Sequence, residues 1–258
     1  MSESSGDLVP ERVSDLAVTE SGTGDRLVVF VHGVLDRGRS FEPIAERLDG
    51  RCRTVWYDRR GYGASASAPG VPVGVDGHVA DLLAVLDGRR AVLVAHSFGG
   101  IHAFGAAIRA PELIEAVVAY ETVTAWAPGW PDTAMRDVLS RDDPEAAGLE
   151  LMLGPRLASM APDQIDRRRP EARAFVAEER SIRTGGAPYD VGAIRAPVVY
   201  GASDSEVIEP VITFLADTIP DIEVVRMPGA DHFAHRSDPD GFAALVRLAL
   251  ARSAASPT

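Results

Sequence analysis

A three-layer α/β architecture, with a mostly parallel central sheet and an inserted helical cap, is the fold class this sequence predicts. Short, nearly continuous apolar runs recur along the chain, the pattern of strands covered on both faces. Helix-length segments separate these runs, and parallel neighbours need connections of that length. One interval, residues 122–192, breaks the alternation and is too long for a single crossover.

The elements follow in order. After a polar start, "VSDLAVTES" reads as one edge strand, closed by the turn "GTGD". "RLVVFVHG", "RTVWYDRRG", "RRAVLVAHS", "EAVVAYE", "APVVYGASD" and "IEVVRMPGADH" supply the buried strands. The intervening helices are read in "SFEPIAERLDG", "GVDGHVADLLAVLDG", "GGIHAFGAAIRAPEL", "VIEPVITFLADTIP" and "DPDGFAALVRLALARSAA". In the second of these, Val79, Leu82, Leu83 and Leu86 recur at helical spacing and form a packing face. The irregular interval holds "TAWAPGWPD", a helix around "PEAAGLELMLGP", and "PEARAFVAEERSIR", with prolines expected to divide it into short pieces. The predicted division is a core of residues 1–121 and 193–258 with a cap or lid of 122–192.

A chain of 258 residues, 46% hydrophobic, can bury one sizeable core without disulfide staples. Its single cysteine, Cys52, excludes an internal disulfide and suits a small buried hydrophobe. The histidines are scattered and show no close ligand spacing, so neither a metal nor a cofactor is expected. "YDRRGYGASA" contains G-x-G-x-x-A after a strand but runs into "SAPGVPVG" rather than a helix, which argues against dinucleotide binding. Asp58 and Arg60 are expected to pin that loop. The net charge of -12 disfavours nucleic acid and anionic membranes, and "DRRRP" at Asp166–Pro170 reads as a solvated helix face. The polar N-terminus and strand-length apolar runs predict a soluble, cytoplasmic protein acting on a small molecule. Exposed cap hydrophobics leave a homo-oligomer open.

α/β proteins place their sites at the C-terminal ends of their strands. "AVLVAHSFGG" ends a strand and opens a helix at Ser97, in an A-x-S-x-G version of the nucleophile elbow with Ala95 at the first glycine position. Ser97 suits either a nucleophile or a helix N-cap. Asp204 follows "VVYGAS" and His232 follows "VVRMPGAD", giving the order serine, acid, histidine. Asp204 could instead cap the helix near "SEVIEP", His232 could be a loop histidine, and Asp231 and His235 are rival assignments. Gly33 lets the backbone approach the site, so the Val34 amide, with the Phe98 amide, is expected to face an oxyanion. His32 reads as a structural loop residue.

These motifs together resemble the α/β-hydrolase superfamily: "HGVLD", "DRRGYGAS", "AHSFGG", "GASD" and "GADHF" stand in family order across most of the chain. The resemblance implies Ser97 as nucleophile, Asp204 as acid, His232 as base, and the Val34 and Phe98 amides as the oxyanion hole. It also implies a cap before the acid strand. The missing elbow glycine and a short N-terminal portion, implying a reduced opening hairpin, are departures. The expected activity is cleavage of a small or medium apolar carboxylic ester, thioester or lactone through an acyl-enzyme. An acyltransferase, a carbon–carbon bond hydrolase and a non-catalytic ligand-binding protein are the alternatives, whereas the serine disfavours family members with a carboxylate nucleophile. Leu35, Trp126, Trp130 and Met152 are the expected substrate contacts, with Met135, Leu149, Leu153 and Met160 as further apolar cap residues.

Overall fold

Alternating apolar side chains on the central strands divide between two cores, which is why the sheet is covered on both faces. The computed structural model describes residues 11–255 apart from 14, 49, 71 and 72. Its strands are β1 (Glu11–Val13), β2 (Leu16–Ser21), β3 (Arg26–Val31), β4 (Cys52–Tyr57), β5 (Ala91–His96), β6 (Ile114–Tyr120), β7 (Val198–Ala202) and β8 (Ile222–Arg226). They form one 8-stranded sheet in the order β1-β2-β4-β3-β5-β6-β7-β8. Only β1–β2 and β2–β4 are antiparallel, and β3 to β8 all run parallel.

The helices are α1 (Glu42–Arg47), α2 (Val75–Leu86), α3 (Gly99–Arg109), α4 (Thr133–Ser140), α5 (Pro144–Leu153), α6 (Pro155–Ala158), α7 (Pro162–Gly185), α8 (Glu209–Thr218), α9 (Ala234–Ser237) and α10 (Pro239–Ala255). Val29, Val31, Leu93 and Ala95 pack with α2, α3 and α8. Val28, Phe30, Val92 and Val94 point the other way, into Phe41, Ile44, Leu48 and the apolar face of α10. Each such fully buried Val, Leu, Ile or Phe contributes about 1.5–3 kcal/mol from transfer out of water. The three-layer fold is as the sequence predicts.

Two expectations change. "VSDLAVTES" is not the sheet edge, because the three-residue β1 pairs outside it and Asp15 turns the chain at φ 68. β1 and β2 pair as an antiparallel hairpin at that edge. Between β6 and β7 the chain carries α4 to α7; Pro144, Pro155 and Pro162 open α5, α6 and α7 and divide the region as expected, but Pro170 does not. Helix α7 runs 24 residues straight through Pro170. An interior proline costs about 3 kcal/mol or more. Burial of Ala172, Ala174, Phe175, Val176 and Ile182 on the same helix offsets it. The "DRRRP" arginines lie on this helix, with Arg167 ion-paired to Asp163 and Arg169 to Asp143. Among the described residues no helix is long and apolar enough to cross a membrane.

Helix α7 is also fastened to the sheet by charge. Fully buried Arg59 donates from Nη1 to Glu178 Oε1 at 2.7 Å, from Nε to His32 O at 2.9 Å, and Tyr62 donates to the same carboxylate at 3.0 Å. Burial would raise the Glu178 pKa, but Arg59 and the nearby His78 and His102 outweigh it and hold the carboxyl well below the ordinary range. Removing one partner of such a pair leaves an uncompensated buried charge, at about 3–5 kcal/mol. Glu178→Gln is therefore expected to lower stability by roughly 3 kcal/mol at neutral pH. The folded pKa is depressed, so this stabilisation is complete above the unfolded carboxylate pKa of about 4.3 and is lost as pH falls through and below it. Urea midpoints measured from neutral to acidic pH check this: the wild-type profile should fall more steeply than that of the variant, and parallel profiles would refute it.

Candidate active site

The turn after β5 forces Ser97 out of the sheet. Its φ is +52, a left-handed conformation uncommon for a residue with a side chain, and its N–H donates to Tyr120 O at 2.8 Å. Helix α3 then starts at Gly99, where a Cβ would lie 2.3 Å from Val31 O; at Gly100 it would lie 1.8 Å from Thr122 Oγ1. Both glycines are required by close packing of this helix on the sheet. Ala95, at the missing first glycine position, sits in register between Val31 and Ala119 and is fully buried, so a methyl group is accommodated there.

Ser97 lines a cavity of about 230 Å³ together with His232, Val34 and Phe98. The structure thus brings together every predicted catalytic and oxyanion residue except one. His232 Nδ1 lies 2.7 Å from Glu121 Oε2, and Glu121 takes the acid's place on the imidazole. Asp204 is exposed and instead accepts the Gly229 N–H at 2.9 Å, tying the turn after β7 to the loop that carries His232. The predicted Asp204 contact is therefore replaced by one from the first residue after β6. Glu121 has φ +43 and is only 5% exposed. Its Oε1 accepts the Ser203 N–H at 3.0 Å and the Ser203 hydroxyl. Burial would raise its pKa, but the hydrogen bonds from His232 and Ser203 hold the carboxyl below its ordinary value. An ionised acceptor on Nδ1 selects the imidazole tautomer whose Nε2 is free to take a proton.

The histidine loop has a second support. His96 Nε2 lies 2.7 Å from the His232 carbonyl oxygen, and burial, reinforced by His235 and His232, pushes the His96 pKa well below its usual value. Neutral His96 donates that bond. The rival assignments are engaged elsewhere: His235 Nε2 lies 3.1 Å from Asp36 Oδ2, and the rival acid Asp231 accepts from the Phe233 N–H at 2.8 Å. His32 is a buried structural residue, its Nε2 accepting the Arg59 N–H at 2.9 Å, and burial lowers its pKa to about 3. Asp36 with His96 and His235, and Glu178 with His78 and His102, are compact groups, yet each carboxylate already pairs with an arginine, Arg236 or Arg59. A second cation is disfavoured in both. Asp58 accepts the Gly38 and Ala64 N–H groups and Arg60 pairs with Asp81, pinning their loop as expected.

Of the predicted substrate contacts, Trp130 and Met152 line the cavity, joined by Met135, Leu151, Phe175 and Val123. Trp126 instead packs against the core with its ring edge-on to Tyr189 at 5.8 Å. Leu35, at φ +51, lies outside the lining, and its carbonyl accepts from Arg168 at 3.2 Å. Trp126 stays out of the cavity because its side chain serves core packing. Sequence reasoning missed Glu121, Glu179 and Arg183. Glu121 had a readable signal, an acid directly after the apolar run beside the serine strand. Glu179 and Arg183 had only the helical i, i+4 spacing of opposite charges, common on solvated faces.

Comparisons with known proteins agree with this architecture. Over 250 residues the chain is 28% identical to 2-(acetamidomethylene)succinate hydrolase of Mesorhizobium japonicum, covering 87% of each. The crystal structure of E-2-(acetamidomethylene)succinate hydrolase superposes with a TM-score of 0.70 at 22% identity, over 95% of this chain and 99% of the other. A thermophilic esterase of Thermogutta terrifontis gives a TM-score of 0.71 at 21% identity, over 92% and 93%. Residues 28–245 match the model of the alpha/beta hydrolase family. With the sheet order, the strained serine elbow and the histidine loop all in place, this chain belongs to that family.

Proposed function

We propose that this protein is a serine hydrolase of carboxylic esters or amides that works through an acyl-enzyme, with residues 122–192 as its cap. The observation that carries the proposal is the oriented imidazole: Glu121 fixes His232 at 2.7 Å on the wall of the cavity that Ser97 also lines. In this reading His232 Nε2 takes the Ser97 proton as Oγ attacks the substrate carbonyl carbon. The resulting oxyanion is met by the Val34 and Phe98 amides, and one such donor supplies about 2.7–4 kcal/mol in a comparable site. His232 returns the proton to the departing alcohol or amine. Water, deprotonated by the same imidazole, then attacks the acyl-enzyme and frees the acid and Ser97.

Cavity size and lining favour a small or medium acyl group. Val34, Phe98, Val123, Trp130, Met135 and Met152 present mostly carbon to it. The Mesorhizobium relative is named for hydrolysis of an acetamido compound, which is why amides stand beside esters here. Asp204, the acid that the sequence motif suggests, is assigned to holding the histidine loop.

The test is fluorophosphonate labelling read by mass spectrometry. Rapid modification confined to Ser97, and lost in His232→Ala, supports an activated nucleophile. A folded protein that resists labelling while its cavity admits small ligands would overturn the assignment.

A further inference from the structure

An arginine and a glutamate stand in the wall of the same largely apolar cavity that Ser97 and His232 line, and the chemistry described above uses neither. Both come from α7: Glu179 is 7% exposed and the Arg183 side chain 8%. Arg183 Nε donates to Glu179 Oε2 at 3.0 Å, and its Nη1 lies 2.9 Å from Asp132 Oδ2. Its Nη2 makes no hydrogen bond among the described residues. Asp132 Oδ2 also accepts from Arg136 Nε at 2.8 Å, while Asp132 Oδ1 is buried without a partner. Charges set among Trp130, Met135, Met152 and Phe175 are costly to desolvate, and apolar residues of similar volume would serve cap packing at least as well.

We infer that Glu179 and Arg183 form a polar anchor for the substrate end remote from the scissile carbonyl, and that preferred substrates carry a carboxylate there. This rests on the serine-hydrolase reading. With Nε held by Glu179 and Nη1 by Asp132, Arg183 presents its Nη2 donors to a carboxylate, in an apolar surround where such charge-assisted bonds are strongest. The neighbouring acids do not cancel it. Asp132 is shared with Arg136, and burial, with Glu178 and Asp132 adding to it against the pull of Arg183, pushes Glu179 up to about 7. Near neutral pH Glu179 is therefore protonated in a large share of molecules and donates a hydrogen bond to the incoming anion. Where it is ionised, substrate binding draws one proton from solvent onto it. The charged or titratable groups around it are Arg183 and Glu178 on α7, Asp132 and Arg136 at the start of α4, and His232 across the cavity.

The measurement is kcat/KM for the para-nitrophenyl monoester of glutaric acid against para-nitrophenyl pentanoate, a matched pair with and without the carboxylate. Their ratio cancels the titration of the catalytic groups common to both. Wild type is expected to favour the anionic ester at least ~10-fold, and Arg183→Gln to erase that preference, chiefly through KM. The ratio should fall as pH rises through 7, and Glu179→Gln should flatten that dependence. If Arg183→Gln fails to fold, Arg183→Lys, which keeps the charge but loses the Nη2 donors held in place by the Glu179 and Asp132 contacts, should give an intermediate ratio. A wild-type ratio at or below one, or a ratio indifferent to both Arg183 substitutions, overturns the anchor. If neither ester is turned over and Ser97 resists labelling, the hydrolase reading fails on its own. Calorimetry of glutarate binding then decides the anchor: at least ~10-fold tighter binding to wild type than to the Arg183 variant upholds it, and equal binding refutes it.

Discussion

Replacing Ser97 with alanine is expected to lower kcat on a carboxylic ester about 10⁵- to 10⁶-fold, because members of a serine–histidine–acid unit act together and losing the nucleophile removes the covalent route altogether. Some catalysis over water should persist, since the backbone amides of Val34 and Phe98 still stabilise charge on the carbonyl oxygen. Folding should be undisturbed. The strain at φ +52 lies in the backbone, which alanine tolerates about as well as serine, and only a cavity-facing hydroxyl is removed. Steady-state kinetics beside a thermal unfolding curve would check this. A loss under tenfold in a folded variant would show that the chemistry runs through another group.

The second large effect separates two carboxylates. Glu121→Gln is expected to lower kcat about 10⁴-fold, the scale seen when an orienting acid is replaced by its amide in a serine protease. The reason lies in Ser203. Its N–H and hydroxyl both donate to Glu121 Oε1. In the glutamine variant those donors claim the amide oxygen and turn the amide NH₂ toward His232 Nδ1. That selects the imidazole tautomer with its proton on Nε2, the one unable to accept a proton from Ser97. Asp204→Asn should cost less than about tenfold, because an amide oxygen still accepts the Gly229 N–H that the carboxylate now holds. The reverse ranking, with Asp204→Asn the severe variant, would return the acid role to the position that sequence order suggests.

That contrast shows what was legible beforehand. The apolar runs of β3 to β8 and the helices between them follow from periodicity, so the layered sheet could be read directly. Ser97, His232, Val34 and Phe98 were also readable, because each closes or follows a strand and strands in a parallel sheet end at one edge. The acid was harder. Both Glu121 and Asp204 follow apolar strands, after β6 and β7, and a one-dimensional pattern ranks them by family order rather than by reach.

By itself, then, the sequence determined the fold class, the serine elbow and the histidine, since these depend on local periodicity, chain direction and small residues at fixed offsets. Tertiary structure alone decided which carboxylate touches His232, that Trp126 packs inward while Trp130 faces the cavity, and that Glu179 and Arg183 from a charged helix enter an apolar pocket. Those outcomes depend on distances between elements far apart in the chain. Such distances are set by how the loops after β6, β7 and β8 meet at the sheet edge and by where the helices between β6 and β7 lie over it, and no spacing within a single segment encodes them.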